Sequence, residues 1–257
     1  MSMVFKKGDY VTRSSHNNDI LFKITSISND IAELKGVNVR LCADSKLTDL
    51  VNATNVIISD EEVVSNKFDD LALDRGRFFY LPGSILHIDG DEEYLARCMK
   101  FYKKMNVKAN GFYLPEPEMR IKVQSLLEKF HPDILILTGH DAYYNKVNRS
   151  DYQNSSNYIE AVREARRYEK NQDKLIVIAG ACQSNYEELI KSGANFASSP
   201  KRINIHALDP AIIAVALAFS DRNKSIDLMS LINKTKYGSD GIGGIITNGT
   251  MYVGFPR

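Results

Sequence analysis

The 257-residue chain has no tryptophan, three cysteines, seven prolines and a formal charge of only +1. Cys42, Cys98 and Cys182 are odd in number and widely spaced, with no Cys-x-x-Cys pair. That argues against a disulfide framework or a structural zinc site and for a reducing compartment. The near-balance of charge gives no bulk attraction to nucleic acid or an anionic membrane. No apolar run approaches the ~20 residues of a membrane span. Met1–Lys7 lacks the apolar core of a secretion signal, so a cytoplasmic location is expected. With 44% apolar and 25% charged residues the composition is that of an ordinary globular protein, long enough for one large or two unequal domains.

Against these absences stand two short apolar runs that each end in a reactive side chain. Ile134-Leu135-Ile136-Leu137 leads into Thr138-Gly139-His140-Asp141, and Leu175-Ile176-Val177-Ile178 into Ala179-Gly180-Ala181-Cys182-Gln183. Both read as buried parallel strands, rich in branched residues and closed by glycine. Ligands of an open α/β sheet bind beyond the carboxyl ends of its strands. One loop, one helix and one strand fit between the two residues, so a single step of the fold sets His140 and Cys182 side by side. A thiol beside an imidazole is a nucleophile beside its base. The N–H groups ahead of the helix that begins near Asn185 favour a thiolate and an oxyanion. The plainer alternatives are a buried structural thiol and an imidazole capping a loop.

Residues 1–57 read as a small SH3-like β-barrel, with strands at Tyr10-Val11, Ile20–Ile24, Ile31–Leu34 and Val37–Leu41. Residues 58–77 are acidic, then mixed in charge, and read as a linker. Residues 78–257 alternate strand and helix, which implies a doubly wound parallel sheet with right-handed crossovers. Helices are expected over Glu92–Lys104, Met119–Phe130, a stretch ending near Lys170, Tyr186–Ser192, Pro210–Phe219 and Ile226–Lys236. A terminal hairpin over Gly241–Phe255 is expected to turn at Asn248-Gly249.

Asp89 and Asp91 leave the first strand of this sheet on the same rim. They could bind a basic substrate side chain, orient His140 or hold a divalent ion, and capping the next helix is the plainer role of Asp91. Asp141 could orient the imidazole or close a turn, with Gly139 and Gln183 beside the oxyanion. Ser198 and Ser199 are assigned to the specificity pocket, ordinary loop chemistry being the alternative, and His206 is the backup base. Gly238–Gly249 lacks the strand-and-helix order of a phosphate loop. No cofactor and no metal are expected.

The blocks ending in His140 and in Ala181-Cys182 resemble the caspase, legumain and gingipain clan of cysteine peptidases, with Gly139-His140-Asp141 standing where that clan has His-Gly. A wider resemblance, to the YabG family of sporulation-specific peptidases, rests on longer strings. They are Lys7-Gly8-Asp9, Arg40-Leu41-Cys42-Ala43-Asp44-Ser45, Leu86-His87-Ile88-Asp89-Gly90-Asp91-Glu92, Thr138-Gly139-His140-Asp141-Ala142-Tyr143, Ala179-Gly180-Ala181-Cys182-Gln183-Ser184, Gly193–Pro200 and Asn204–Pro210. The resemblance implies a caspase- or flavodoxin-like sheet and proteolysis of spore coat and cortex-associated proteins in the mother cell, with association with the forming coat. Two other readings remain at this point. Gly180-Ala181-Cys182-Gln183-Ser184 approaches the nucleophile elbow of a glutamine-amidotransferase-like hydrolase. Asp89, Asp91 and Lys201 fit a receiver-like binding module without catalysis.

Overall fold

The structure, a computed structural model, describes residues 5–53, 76–144 and 152–256. Residues 5–53 build an antiparallel sheet from β1 (Tyr10–Arg13), β2 (Phe22–Ser28), β3 (Ile31–Gly36), β4 (Cys42–Lys46) and β5 (Leu50–Asn52), in the order β4-β3-β2-β1-β5. Alternation does the work here: Ala32 and Leu34 of β3 turn inward to join Val11, Phe22 and Ile24 in a small core. Asn29 and Asp30 hold positive φ between β2 and β3, as a two-residue hairpin requires. Val37–Leu41, expected as a strand, is instead a loop between β3 and β4. Its backbone pairs elsewhere, Val39 bridging antiparallel to His206. The expected linker at 58–77 lies, but for its last two residues, outside the described residues.

The larger sheet has the order β12-β11-β10-β9-β7-β8. Its strands β7 (Ile85–Asp89), β8 (Ala109–Tyr113), β9 (Ile134–Thr138), β10 (Ile176–Ala179) and β11 (Phe196–Ser198) run parallel, and β12 (Ile242–Gly244) is antiparallel to β11. Every residue of β7, β9 and β10 is buried, which explains their unbroken apolar runs. Ile85, Ile134, Ile136 and Ile176 pack with α1 (Glu92–Lys104) and the later helix α5 (Asp209–Ala218). Leu86, Ile88, Leu135, Leu137 and Val177 pack on the opposite face with α2 (Glu116–Phe130), α3 (Ser155–Tyr168) and α4 (Tyr186–Lys191). All of α5 except Ala216 is buried, so it is apolar on every side.

The expected terminal hairpin does not form. β12 joins the large sheet, and β13 (Tyr252–Gly254) pairs with β6 (Phe79–Leu81). Gly249 serves a close approach instead, since a Cβ there would stand 2.0 Å from the Ser220 carbonyl oxygen. The expected helix over 226–236 shrinks to α6 (Leu228–Ile232), started by the Asp227 side chain accepting from the Ser230 N–H. From β7 the chain goes outward to β8, then returns to β9 on the other side of β7. The strand order therefore reverses between β7 and β9, where ligand sites of such sheets lie.

Candidate active site

Three strand ends converge at that reversal. Leu137 of β9 pairs in register with Ala179 of β10, so His140 and Cys182 each follow a matched pair by three residues. Asp89 of β7 pairs with Thr138 on the other flank of β9. Cross-ties hold the rim, with the Gly180 N–H donating to the Leu137 carbonyl and the Thr138 hydroxyl to the Gly180 carbonyl.

His140 is anchored from several sides. Its Nε2 lies 2.7 Å from Asp91 Oδ2, and its backbone N–H donates to Glu116 Oε1 at 2.9 Å. Asp91 also accepts from the Glu93 and Tyr94 N–H groups as the N-cap of α1, and ion-pairs with Lys35 at 2.7 Å. Capping and orienting the imidazole, weighed as alternatives in the sequence, are thus done by one carboxylate. Burial works against a charge on His140, yet the Asp91 hydrogen bond and the nearby Cys42 raise its pKa to about 9. Burial likewise opposes ionisation of Asp91, but His140 and Lys35 hold its carboxyl well below the usual range.

The cysteine at His140 Nδ1 is Cys42, exposed at the start of β4, with Sγ 3.5 Å away. The expected Cys182–His140 hydrogen bond is not made. Cys182 is fully buried, and its Sγ accepts from the Ile205 N–H at 3.2 Å. Burial pushes its thiol up to about 12, against smaller opposing effects of the Ile205 and Arg40 backbone N–H groups. Two stretches of chain therefore lie over it, the 37–41 loop and the 203–207 segment. The helix expected to favour a thiolate begins only at Tyr186, is six residues long and is capped by Asn185.

Asp89 is buried and occupied. It takes the Arg40 guanidinium in a two-pronged pair, Nη1–Oδ1 and Nη2–Oδ2 both 2.9 Å, and neither side chain reaches solvent. Arg40 also donates to the Ala207 carbonyl at 3.1 Å and lies 4.9 Å over the Tyr94 ring. Burial opposes the Arg40 charge, but Asp89 outweighs it and the pKa rises. Neighbouring His87 is kept neutral by burial, 3.3 Å from Asp89.

The remaining expected residues are mostly braces. Asp141 does not touch the His140 ring but accepts from Ser155, Ser184 and the Asn154 and Ala142 N–H groups, because the chain turns away after His140. The Gln183 N–H donates to Ser199 Oγ and the Ile203 carbonyl, and its side chain meets Tyr143 and Asn204. Ser198 and Ser199 are fully buried and bond to the Gly180 and Ile203 carbonyls, bracing the Cys182 turn rather than lining an open pocket. Gly139 allows close packing, since a Cβ there would meet Glu116 Oε1 at 2.5 Å. His206 accepts from the Leu208 N–H through Nδ1. No trio of potential metal ligands is clustered among the described residues. Lys35, Arg40, Cys42, Tyr94 and Glu116 escaped the reading of the sequence. Arg40 and Cys42 stand in one of the strings that carry the family resemblance, which says nothing of their role.

The profile of the family described as YabG peptidase U57 matches residues 6–75 and 60–256. The chain is 38% identical over 286 aligned residues to the sporulation-specific protease YabG of Bacillus subtilis (strain 168), with 99% of each chain covered. Among the described residues no helix is long and apolar enough to cross a membrane.

Proposed function

The chain belongs to the YabG peptidase U57 family, and on that footing we propose a sporulation-specific cysteine endopeptidase with Cys182 as nucleophile and His140 as proton carrier. The observation that carries this reading is the matched register of β9 and β10, which sends both residues off neighbouring strands at one level. Neutral His140 takes the thiol proton, and the sulfur attacks a peptide carbonyl. The imidazolium then protonates the leaving amine, and water hydrolyses the thioester. Oxyanion stabilisation is assigned to the Cys182 and Gly139 N–H groups, because those of Gly180, Ala181 and Gln183 are engaged. Asp91 holds the ring, the role Asp141 does not fill. We assign the larger sheet to the caspase-like architecture, the N-terminal sheet to the SH3-like class, and the substrates to spore coat and cortex-associated proteins met in the mother cell.

A second reading makes Cys42 the nucleophile, and the 3.5 Å approach of its exposed sulfur to His140 favours it. Against it, Cys42 stands on the edge strand of a separate antiparallel sheet, away from the turns that follow parallel strands. Cleavage of an unfolded protein substrate by purified Cys182→Ala and Cys42→Ser separates the two. Loss in Cys182→Ala with activity kept in Cys42→Ser is expected. The reverse pattern transfers the role to Cys42, and full activity in both ends the cysteine mechanism.

A further inference from the structure

His140 shares its carboxylate with a cation from the other sheet. Asp91 Oδ2 lies 2.7 Å from His140 Nε2 and 2.7 Å from the Lys35 ammonium, which also donates to Oδ1 at 2.8 Å. Lys35 is the penultimate residue of β3 and pairs across the sheet with Cys42 of β4. Directly opposed residues leave a sheet on one face. One therefore reaches Asp91 and the other His140. A strand lysine is ordinarily a solvated charge whose ion pairs contribute little, but this one is held. Its Nζ lies 4.7 Å over the Tyr94 ring and 3.1 Å from Glu93, with 18% of the side chain exposed. Its strand is tied to α1: the Tyr94 hydroxyl donates to the Gly36 and Val39 carbonyls, and Arg97 to the Val37 carbonyl at 2.6 Å.

Asp91 keeps its place without Lys35, because the Glu93 and Tyr94 N–H groups each reach Oδ1 at 3.0 Å. What Lys35 alters is charge. A carboxylate that also serves an ammonium stabilises an imidazolium less, and the ammonium repels that imidazolium across about 5 Å. The other groups facing His140 come from four elements. Cys42 of β4 meets Nδ1, and the Tyr94 ring of α1 lies 5.7 Å away. Glu116 of α2 takes the backbone N–H, and the Tyr158 hydroxyl of α3 donates to the carbonyl. Arg40 is turned to Asp89, and Asp141 to Ser155 and Ser184. Among the described residues, Lys35 is the lysine or arginine in contact with the carboxylate that holds the ring.

We propose that Lys35 is a positioning residue for catalysis, acting through Asp91 to set the pH at which His140 becomes a base. The N-terminal sheet is thereby part of the catalytic apparatus and not only a module beside it. The inference rests on the assignment of His140 as proton carrier above. Burial opposes the charge on Lys35, but Asp91 and Glu93 outweigh it and raise its pKa, so the ammonium persists wherever His140 titrates. With Lys35 present, the imidazolium gives up its proton at a lower pH, and more of the protein holds the neutral ring that accepts the thiol proton.

The test compares the purified full chain with Lys35→Met and Lys35→Arg by two readouts. Imidazole C–H resonances give the His140 pKa without reference to activity, and kcat/KM on an unfolded protein substrate is followed against pH. In Lys35→Met the imidazole pKa is expected to rise by about one unit. Its kcat/KM should be about tenfold below wild type well under pH 9, the gap narrowing as pH climbs past the shifted value. Lys35→Arg keeps the charge and should keep both the pKa and the profile. Should Lys35→Met fail to fold, Lys35→Gln retains a donor to Asp91 without the charge and carries the same expectation. An imidazole pKa unmoved in the neutral variant overturns the proposal, as does a fall in kcat/KM by one factor at every pH, which marks a structural contact alone. A pKa that rises while the activity profile stays put removes His140 as the base, and this role with it. A wild type that cleaves nothing at any pH refutes the peptidase reading itself, whatever the imidazole does.

Discussion

Replacing Asp91 with asparagine isolates the electrostatic half of the site from its fold. Asparagine caps a helix about as well as aspartate, so the Glu93 and Tyr94 N–H groups at the start of α1 keep an acceptor. What is lost is the negative charge 2.7 Å from both His140 Nε2 and Lys35 Nζ. With it gone, only Cys42 is left to oppose burial, and the imidazole pKa should fall from about 9 towards the ordinary 6.5. At about 1.4 kcal/mol per pKa unit, the loss for His140 alone is at most about 3 kcal/mol. The sign follows from linkage: a folded pKa raised to about 9 stabilises the native state fully below pH 6.5 and loses that effect as pH climbs through 9. The variant should therefore be less stable than wild type by up to about 3 kcal/mol near pH 6, with the gap closing towards pH 9.5. Urea unfolding at a series of pH values measures the gap, and imidazole C–H resonances give the pKa directly. A wild-type His140 that titrates near 6.5, or a stability gap that does not change with pH, would refute the reasoning.

Four further outcomes follow from the same geometry. Cleavage of an external peptide should rise with pH up to about 9, because His140 must lose its proton before it accepts one from a thiol; a rate–pH profile that is flat from 6 to 9 contradicts this. Gly139→Ala should displace the His140 turn, since its Cβ would stand 2.5 Å from Glu116 Oε1 and 3.0 Å from Gly90 Cα. A cost of about 1–3 kcal/mol in stability and a fall in kcat are expected. Gly180→Ala should cost about 1–2 kcal/mol by thermal unfolding, because φ there is +100° and a Cβ would crowd Leu189. Leu137→Ala, which empties a fully buried position in β9, should cost about 2–5 kcal/mol by urea unfolding.

The parts of this molecule visible in the sequence are those set by local chemistry. Glu92–Lys104 forms a helix with the expected bounds because Asp91 caps it, Glu92 and Glu93 fill its first turn and Lys103 and Lys104 its last. The β9 and β10 runs read correctly because burial on both faces leaves no room for polar residues. Val37–Leu41 shows where such reading stops. Its alternation signals a strand, but the chain bends there, the Leu41 N–H donating to the Val39 carbonyl, and the pattern carries no information on which backbone it meets. Arg40 is the sharper case. A charged residue in a loop reads as solvated, and only a carboxylate 49 residues away, brought to the same spot by the sheet, makes its burial tolerable.

Proximity in sequence misled in the other direction. Asp141 adjoins His140 and was the natural orienter, yet the chain turns so that its carboxylate faces Ser155 and Ser184. The ring is held by Asp91, from the neighbouring strand's exit. The same register that brings His140 and Cys182 off neighbouring strands at one level thus also supplies Asp91, and it is legible only once β7 and β9 are known to be adjacent.

The most direct measurement is to treat the active protein with a substrate-derived peptide carrying a thiol-reactive acyloxymethyl ketone and to locate the adduct by peptide mass mapping. Labelling at Cys182 that an excess of substrate peptide suppresses, and that His140→Ala slows, is the predicted result. An adduct confined to Cys42, or no adduct on any cysteine of a chain that still cleaves, would contradict the account.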